Sequence, residues 1–263
     1  TGKECIKVED GKLTIDEHLC TGCGICPKAA PMAIKIINLP EELKTKPIHR
    51  YGENRFVLYS LPTPTFGHVT GILGVNGIGK STSIKILASV LKPNFGDWTK
   101  YETDYDELIS FFKGTEAQGF FEKIKNQEIK VAYKPQQVDL IPKTTKGNVI
   151  DLLKKVDEKN ELKKIANELQ LNEILNNKIT EISGGELQRV AIAATVLKNA
   201  DLYIFDEPTS YLDIKQRINI SKFIKSLINE DTAVLVVEHD LIILDYIADL
   251  VHLMYGKEDC YGI

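Results

Sequence analysis

No apolar run in this sequence approaches the roughly 18 residues that a membrane-spanning helix needs. The longest candidates, "VAIAATVL" and "AVLVV", suit core elements instead, so nothing here reads as a membrane partner. Neither charge sign dominates: Lys and Arg number 33 against 37 Asp and Glu, a net charge of −4. No global basic field advertises nucleic acid, and any such contact must come from a local patch. Cysteine is scarce and odd in number: Cys5, Cys20, Cys23, Cys26 and Cys260. An odd count with three residues in one tight run argues against a disulfide framework and for a cytoplasmic chain. There is no signal peptide, no internal repeat and no low-complexity stretch. The first residue, Thr1, is not an initiator Met, and the chain reads as a fragment that begins mid-protein.

What is present fits a globular protein of 263 residues, 43% hydrophobic and 27% charged, enough for one large domain or two smaller ones. Two textures divide it. In residues 1 to about 38, "CIKVEDGKLTIDEHLC" alternates like a small hairpin with "EDG" as its turn. The run "CTGCGICPKAAP" follows, and then "MAIKIINLP", strand-like and ending at Pro40. Residues 40–50 are polar and read as a linker. From about Phe56 strands alternate with helices, which implies a parallel sheet covered by helices. The expected strands are "HVTGILG", "VAYKP", "DLYIFDEP" and "TAVLVVEHD". The expected helices are "KSTSIKILASVLK", residues 145–177, "GGELQRVAIAATVLKN" and "DIKQRINISKFIKSLIN". Residues 105–128 read as two short helices hinged near Gly114.

"GVNGIGKS" fits G-x-x-x-x-G-K-[ST] through Gly74, Gly79, Lys80 and Ser81. It follows a strand and opens a helix, the context the motif requires. Glycines let backbone N–H groups curl around phosphate oxygens, and the helix N-terminus adds its dipole. Lys80 then reaches the β- and γ-phosphates and Ser81 ligates Mg²⁺. Downstream, "LYIFDEP" is an apolar strand running into Asp206 and Glu207. Two carboxylates there are costly unless they face a cation or water. Asp206 is placed to hold Mg²⁺, and Glu207 to orient or deprotonate an attacking water. In "ISGGELQR", Ser183 and Glu186 make a capping box, and Gly184 and Gly185 leave the first-turn amides bare, an anion site without side-chain walls.

The phosphate loop, "SGGELQR", "FDEP", "SYLD" and "VVEHD", in that order, resemble the ABC-type ATPases over residues 46–258. The fold so implied is α/β, a P-loop NTPase of ABC type, over residues 46–263, behind a small ferredoxin-like α+β unit in residues 1–45. The resemblance implies that two such domains sandwich two ATPs. Asn76, Gly77, Gly79, Lys80, Ser81 and Thr82 would bind the phosphates of one. Ser183, Gly184 and Gly185 would touch the γ-phosphate of an ATP held by a second nucleotide-binding domain. Gln136 in "YKPQQ", with Gln137 the neighbouring alternative, matches a glutamine that senses Mg²⁺ and the attacking water. Asp213 matches a loop that couples the sites, and His239 a histidine on the γ-phosphate. Tyr51 and Phe56 both match the aromatic that stacks on adenine.

"HRYGENRF", "LPTPTFGHVTGILG", "SYLDIKQR", "VEHDLIILDY" and "YGKEDCYG" resemble, more narrowly, the ribosome-recycling ABC ATPases of the RNase L inhibitor family. That implies ATP-driven splitting of ribosomal subunits in the cytoplasm. The small subunit, its rRNA, and release or recycling factors would be partners. Residues 105–128 take the place of a helix–loop–helix that contacts the ribosome, with Lys113, Lys123, Lys125 and Lys130 as either rRNA contacts or a solvated face. A single ATPase domain would complete no site alone; it would bind ATP or ADP and hydrolyse ATP slowly. Two other readings share every nucleotide residue: the ATPase subunit of a membrane transporter, and a non-catalytic ATP-binding scaffold. Cys20, Cys23 and Cys26 match the first three thiolates of C-x₂-C-x₂-C-x₃-C-P, with Ala30 before Pro31 where the fourth cysteine belongs. In the family that fourth cysteine serves a neighbouring cluster, so the resemblance implies a [4Fe–4S] site in the intact protein with its own fourth ligand upstream. Zinc with His18, substitution by Cys5, or a vestigial unit without metal are the alternatives.

Overall fold

The computed structural model describes residues 5–9, 12–15, 25–30, 32, 46–53, 55–99 and 103–263. Cys20, Cys23, His18, Pro31, the expected strand after Met32 and the linker up to residue 45 lie outside the described residues. Along the chain run β1 (Ile6–Glu9), β2 (Lys12–Ile15), α1 (Ile25–Ala29), β3 (His49–Arg50), β4 (Val57–Leu58) and β5 (Val69–Leu73). Next come α2 (Lys80–Leu87), α3 (Tyr105–Phe111), α4 (Glu116–Lys125), β6 (Val131–Lys134), α5 (Ile141–Thr144), α6 (Val149–Val156) and α7 (Leu162–Glu168). Then follow α8 (Gly184–Val196), β7 (Leu202–Asp206), α9 (Ile214–Lys225), β8 (Ala233–Val237), α10 (Leu241–Ile247), β9 (Leu250–Leu253), β10 (Gly256–Lys257) and β11 (Tyr261–Gly262). These residues fall into two compact units: Thr1–Leu61 with Gly74–Ser110 and Leu253–Ile263, and Pro62–Leu73 with Phe111–His252.

In the first unit, β1 and β2 pair antiparallel with Ile6 opposite Ile15 and Glu9 opposite Lys12, the hairpin that the alternation predicted. In α1 the Ala30 amide donates to the Cys26 carbonyl at 2.8 Å, so Ala30 stands one helical turn beyond Cys26. A second small sheet runs in the order β10-β11-β4-β3. It corrects the expected linker at its end: His49 and Arg50 form β3 of this sheet, and the Ile48 amide donates to the Leu58 carbonyl at 2.8 Å. Ile48 is buried and His49 pairs with Leu58. Two-residue strands leave no periodicity to read, which is why the sequence hid them. The expected helix after the phosphate loop is also shorter. It stops at Leu87, and Ser89 takes a left-handed φ of 57°.

The second unit carries the five-stranded sheet, in the order β6-β7-β8-β5-β9. Its inner pairings are parallel, and every residue of β7 and β8 is buried. Unbroken apolar runs such as "AVLVV" are what a parallel strand needs when helices cover both faces. Leu153 of α6, Ile165 of α7, Ile192 of α8, Phe223 of α9 and Ile247 of α10 join Phe205 and Val236 in the core. Register matters most for function. Val237 is opposite Ile72 on one side and Asp206 on the other, so β5, β7 and β8 end level. Their carboxyl edge is where open parallel sheets bind ligands. The long helix expected over 145–177 is α6 and α7, separated by a turn in which Asn160 is left-handed at φ 56°. α3 and α4 form on either side of Gly114 as expected, and Phe112 stacks on Phe121 with centroids 5.4 Å apart. Lys113, Lys123, Lys125 and Lys130 are all exposed.

Candidate functional site

The phosphate loop, in the first unit, closes on its own lysine. Lys80 opens α2 with only 6% of its surface exposed. Its ammonium donates to the carbonyls of Gly74 at 2.7 Å and Val75 at 2.9 Å, which turns the loop's backbone around a buried cation. Gly79 must be glycine for two reasons. Its φ is 91°, and a Cβ would lie 2.5 Å from the Phe56 ring. Asn76 and Gly77 stand exposed at the loop's tip. Thr82 is buried, with Oγ1 at 3.2 Å from the Tyr51 hydroxyl. The two aromatics therefore differ. Phe56 packs against the loop as a structural ring, while Tyr51 is 46% exposed and edge-on to His49 at 4.7 Å.

The carboxylate half lies in the second unit, on residues at or just after the ends of β6, β7 and β8. Glu207 takes φ 48°, left-handed for a side-chain-bearing residue. That turn aims its carboxylate at three donors. Gln136 Nε2 reaches Oε1 at 2.6 Å, His239 Nε2 lies 2.9 Å from the same oxygen, and the Ser210 hydroxyl donates to Oε2 at 3.0 Å. Gln136, not Gln137, makes this contact. Asp206 is buried, with Oδ2 at 3.4 Å from the Tyr133 hydroxyl. Burial and the Asp206 charge push the Tyr133 phenol well above its ordinary range, so it stays a proton donor. Glu238 anchors the neighbouring loop: its carboxylate accepts from the Thr209 amide at 2.9 Å and hydroxyl at 2.6 Å. A carboxylate fixed between a glutamine, a histidine and a hydroxyl can orient a water and accept its proton.

Ser183 caps α8 as the sequence indicated. Its hydroxyl and amide both donate to Glu186 Oε2 at 2.7 Å, and it accepts from the Glu186 amide. Those donors, Ser183's amide first, hold the Glu186 carboxyl below its ordinary value. Ser183 and Gly184 are exposed, and a Cβ on Gly185 would meet the Tyr211 carbonyl at 3.1 Å. The first-turn surface stays open as a result. Asp213 caps α9, accepting from the Gln216 amide at 2.8 Å.

Two site residues went unread. Lys134 is fully buried at the end of β6 and donates to the main-chain oxygens of Asp206 at 2.9 Å and Glu207 at 3.2 Å. Burial pulls its pKa down to about 8 against the opposing pull of Asp206, Glu207 and Glu238. Gln188, also fully buried, donates to the Glu207 oxygen at 2.7 Å. The only sequence signal was a lysine on the buried phase of "VAYK", where Ala132 and Lys134 share a face. Ser81 in the first unit offers a hydroxyl, and in the second Asp206 offers a carboxylate and Gln136 an amide oxygen; each is a hard oxygen of the kind Mg²⁺ takes. For the cluster, Cys26 sits half-exposed on α1, and Ala30 supplies no ligand one turn further on. Among the described residues no helix is long and apolar enough to cross a membrane.

The family profile described as "ABC transporter" matches residues 64–210, more than half of the chain. An uncharacterized ABC transporter ATP-binding protein of Methanocaldococcus jannaschii is 52% identical over 266 residues, which span 100% of this chain and 43% of that protein. Among solved structures, one titled RNase-L Inhibitor is 53% identical with a TM-score of 0.78, covering 83% of this chain and 42% of its own. A complex of archaeal ribosomal stalk protein aP1 with archaeal ribosome recycling factor aABCE1 is 52% identical with a TM-score of 0.78, covering 86% of this chain and 43% of the matched one. The chain thus spans less than half the length of the more similar curated relatives it matches.

Proposed function

The chain belongs to the ABC-type ATPases and, within them, to the RNase L inhibitor branch; from that premise we propose that it binds and hydrolyses ATP to drive the splitting of ribosomal subunits. The observation that carries the catalytic part is Glu207, its carboxylate held at once by Gln136, His239 and Ser210. Lys80, Ser81, Thr82, Asn76, Gly77 and Gly79 bind the phosphates. Glu207 takes the proton of the attacking water while Gln136 and His239 keep its oxygen aimed. Mg²⁺, on Ser81, Asp206 and Gln136, would supply charge neutralisation at the phosphates. Tyr51 is the better adenine platform, because Phe56 is committed to the loop. Ser183, Gly184 and Gly185 offer open amides to an ATP held by a second nucleotide-binding domain, with Asp213 in the coupling loop.

The ribosomal part rests on the 52% identity with an archaeal ribosome recycling factor. A transporter subunit would share the nucleotide residues, and that likeness over 86% of this chain favours recycling over transport. The reading implies a cytoplasmic setting and a boundary near residue 45 between the cysteine unit and the ATPase unit. Exposed lysines of α4 and its flanks are its rRNA contacts. Cys20, Cys23 and Cys26, with a fourth ligand from upstream in the intact protein, would hold a structural [4Fe–4S] cluster that stiffens the unit as a lever. Gradient sedimentation of the intact natural protein with ribosomes and a non-hydrolysable ATP analogue tests this. Co-migration with small subunits supports the reading, and recovery with membranes alone overturns it.

A further inference from the structure

We propose that Lys134 is a positioning residue for hydrolysis: with Gln188 it clamps the main-chain carbonyl of Glu207 and so aims the Glu207 carboxylate. The inference rests on the reading that Glu207 acts on the attacking water, and it assigns a task to a residue that the nucleotide motifs leave without one. Burying an ammonium costs several kcal/mol unless its hydrogen bonds are met. A methionine would fill the same space at the end of β6 without that cost. The lysine is explained by what it holds.

Three contacts fix the peptide groups on either side of Glu207. Its amide donates to Val237 O at 2.9 Å, and its carbonyl accepts from Lys134 Nζ at 3.2 Å and Gln188 Nε2 at 2.7 Å. The same ammonium reaches the Asp206 carbonyl at 2.9 Å, so one cation spans both peptides of the turn. Between them Glu207 is left-handed at φ 48°, a conformation that costs on the order of 1 kcal/mol for a residue with a Cβ. Without donors on its carbonyl the turn would relax toward an ordinary φ. The carboxylate would then swing away from Gln136 and His239, and misplacement of a reacting group by about 1 Å can cost about a hundredfold in rate. The charged groups facing the ammonium are Asp206 and Glu207 from β7 and the turn after it, and Glu238 after β8. Their combined negative charge favours a cation at this point, and the hydrogen bonds decide where it is directed.

The test uses steady-state ATP hydrolysis by the intact natural protein. Lys134→Met is expected to lower kcat by about tenfold or more with KM for ATP within about twofold, the pattern of a lost transition-state contact. Gln188→Met, acting on the same carbonyl, should lower kcat in the same way and carries the test if Lys134→Met does not fold. In a Glu207→Gln background, Lys134→Met should leave the residual rate unchanged, which a purely structural role would not do. Unchanged kcat in a folded variant, a rise in KM alone, or a further equal loss in the Glu207→Gln background overturns the proposal. Absence of turnover by the unaltered protein would instead overturn the role given to Glu207.

Discussion

His239 Nε2 lies 2.9 Å from Glu207 Oε1, the same oxygen that Gln136 Nε2 reaches at 2.6 Å. Three chain segments, following β6, β7 and β8, thus meet at a single carboxylate oxygen. This convergence sets the Glu207 carboxylate apart from a solvated surface acid. The arrangement gives Glu207 its geometry before any nucleotide is considered, and the consequences can be measured.

Replacing His239 by Ala removes one of the two side chains on that oxygen and leaves the phosphate loop untouched. The expected result is a fall in kcat of roughly 10²-fold with little change in ATP affinity, in the range general acid–base partners contribute. Gln136→Ala should act in the same direction, because it vacates the same oxygen. Steady-state kinetics beside equilibrium binding of a fluorescent ATP analogue separates the two quantities.

Tyr51 and Phe56 should part company on mutation. Tyr51→Ala is expected to weaken ATP binding by about tenfold, since stacking on a base contributes about 1–3 kcal/mol, while melting stays nearly the same. Phe56→Ala should do the reverse first. Removing the ring against Gly79 loosens the loop from below and lowers the melting temperature, at a cost of roughly 2–3 kcal/mol for a half-buried aromatic. Thermal melts with and without ATP distinguish them.

The α8 cap makes a prediction about pH. Hydrogen bonds from Ser183 hold the Glu186 carboxyl below its ordinary value. A depressed folded-state pKa means the contribution is present above the unfolded value and is lost as pH falls through the folded one. Amide exchange in the first turn of α8 should therefore speed up below about pH 4, relative to the global opening rate. Glu186→Gln should abolish that pH dependence, and Ser183→Ala should cost about 1 kcal/mol of stability at neutral pH.

The sequence was most informative where chemistry and local structure coincide. The phosphate loop is a contiguous turn whose glycines and lysine answer to one another, and the Ser183–Glu186 cap is a three-residue spacing. "LYIFD" and "AVLVV" are legible because burial on both faces leaves only apolar residues. What was hidden is tertiary. Lys134 does its work across β7, 72 positions from the Asp206 carbonyl it holds. Gln188 lay within a recognised motif, yet its task appears only when α8 packs against the turn after β7. The small sheet of β3, β4, β10 and β11 joins two-residue strands from residues 49–58 and 256–262, far apart in the chain. No local pattern announces such pairings, so Ile48 and His49 read as linker from sequence alone.

The most direct test of the account is Glu207→Gln in the intact natural protein, incubated with ribosomes and ATP and sedimented. The substitution keeps the side chain's size and removes the base, so the account predicts that turnover collapses while ATP still binds. The protein should then remain on small subunits far longer than the unaltered form. Turnover near the unaltered rate, or release from the small subunit at the ordinary rate, would contradict it.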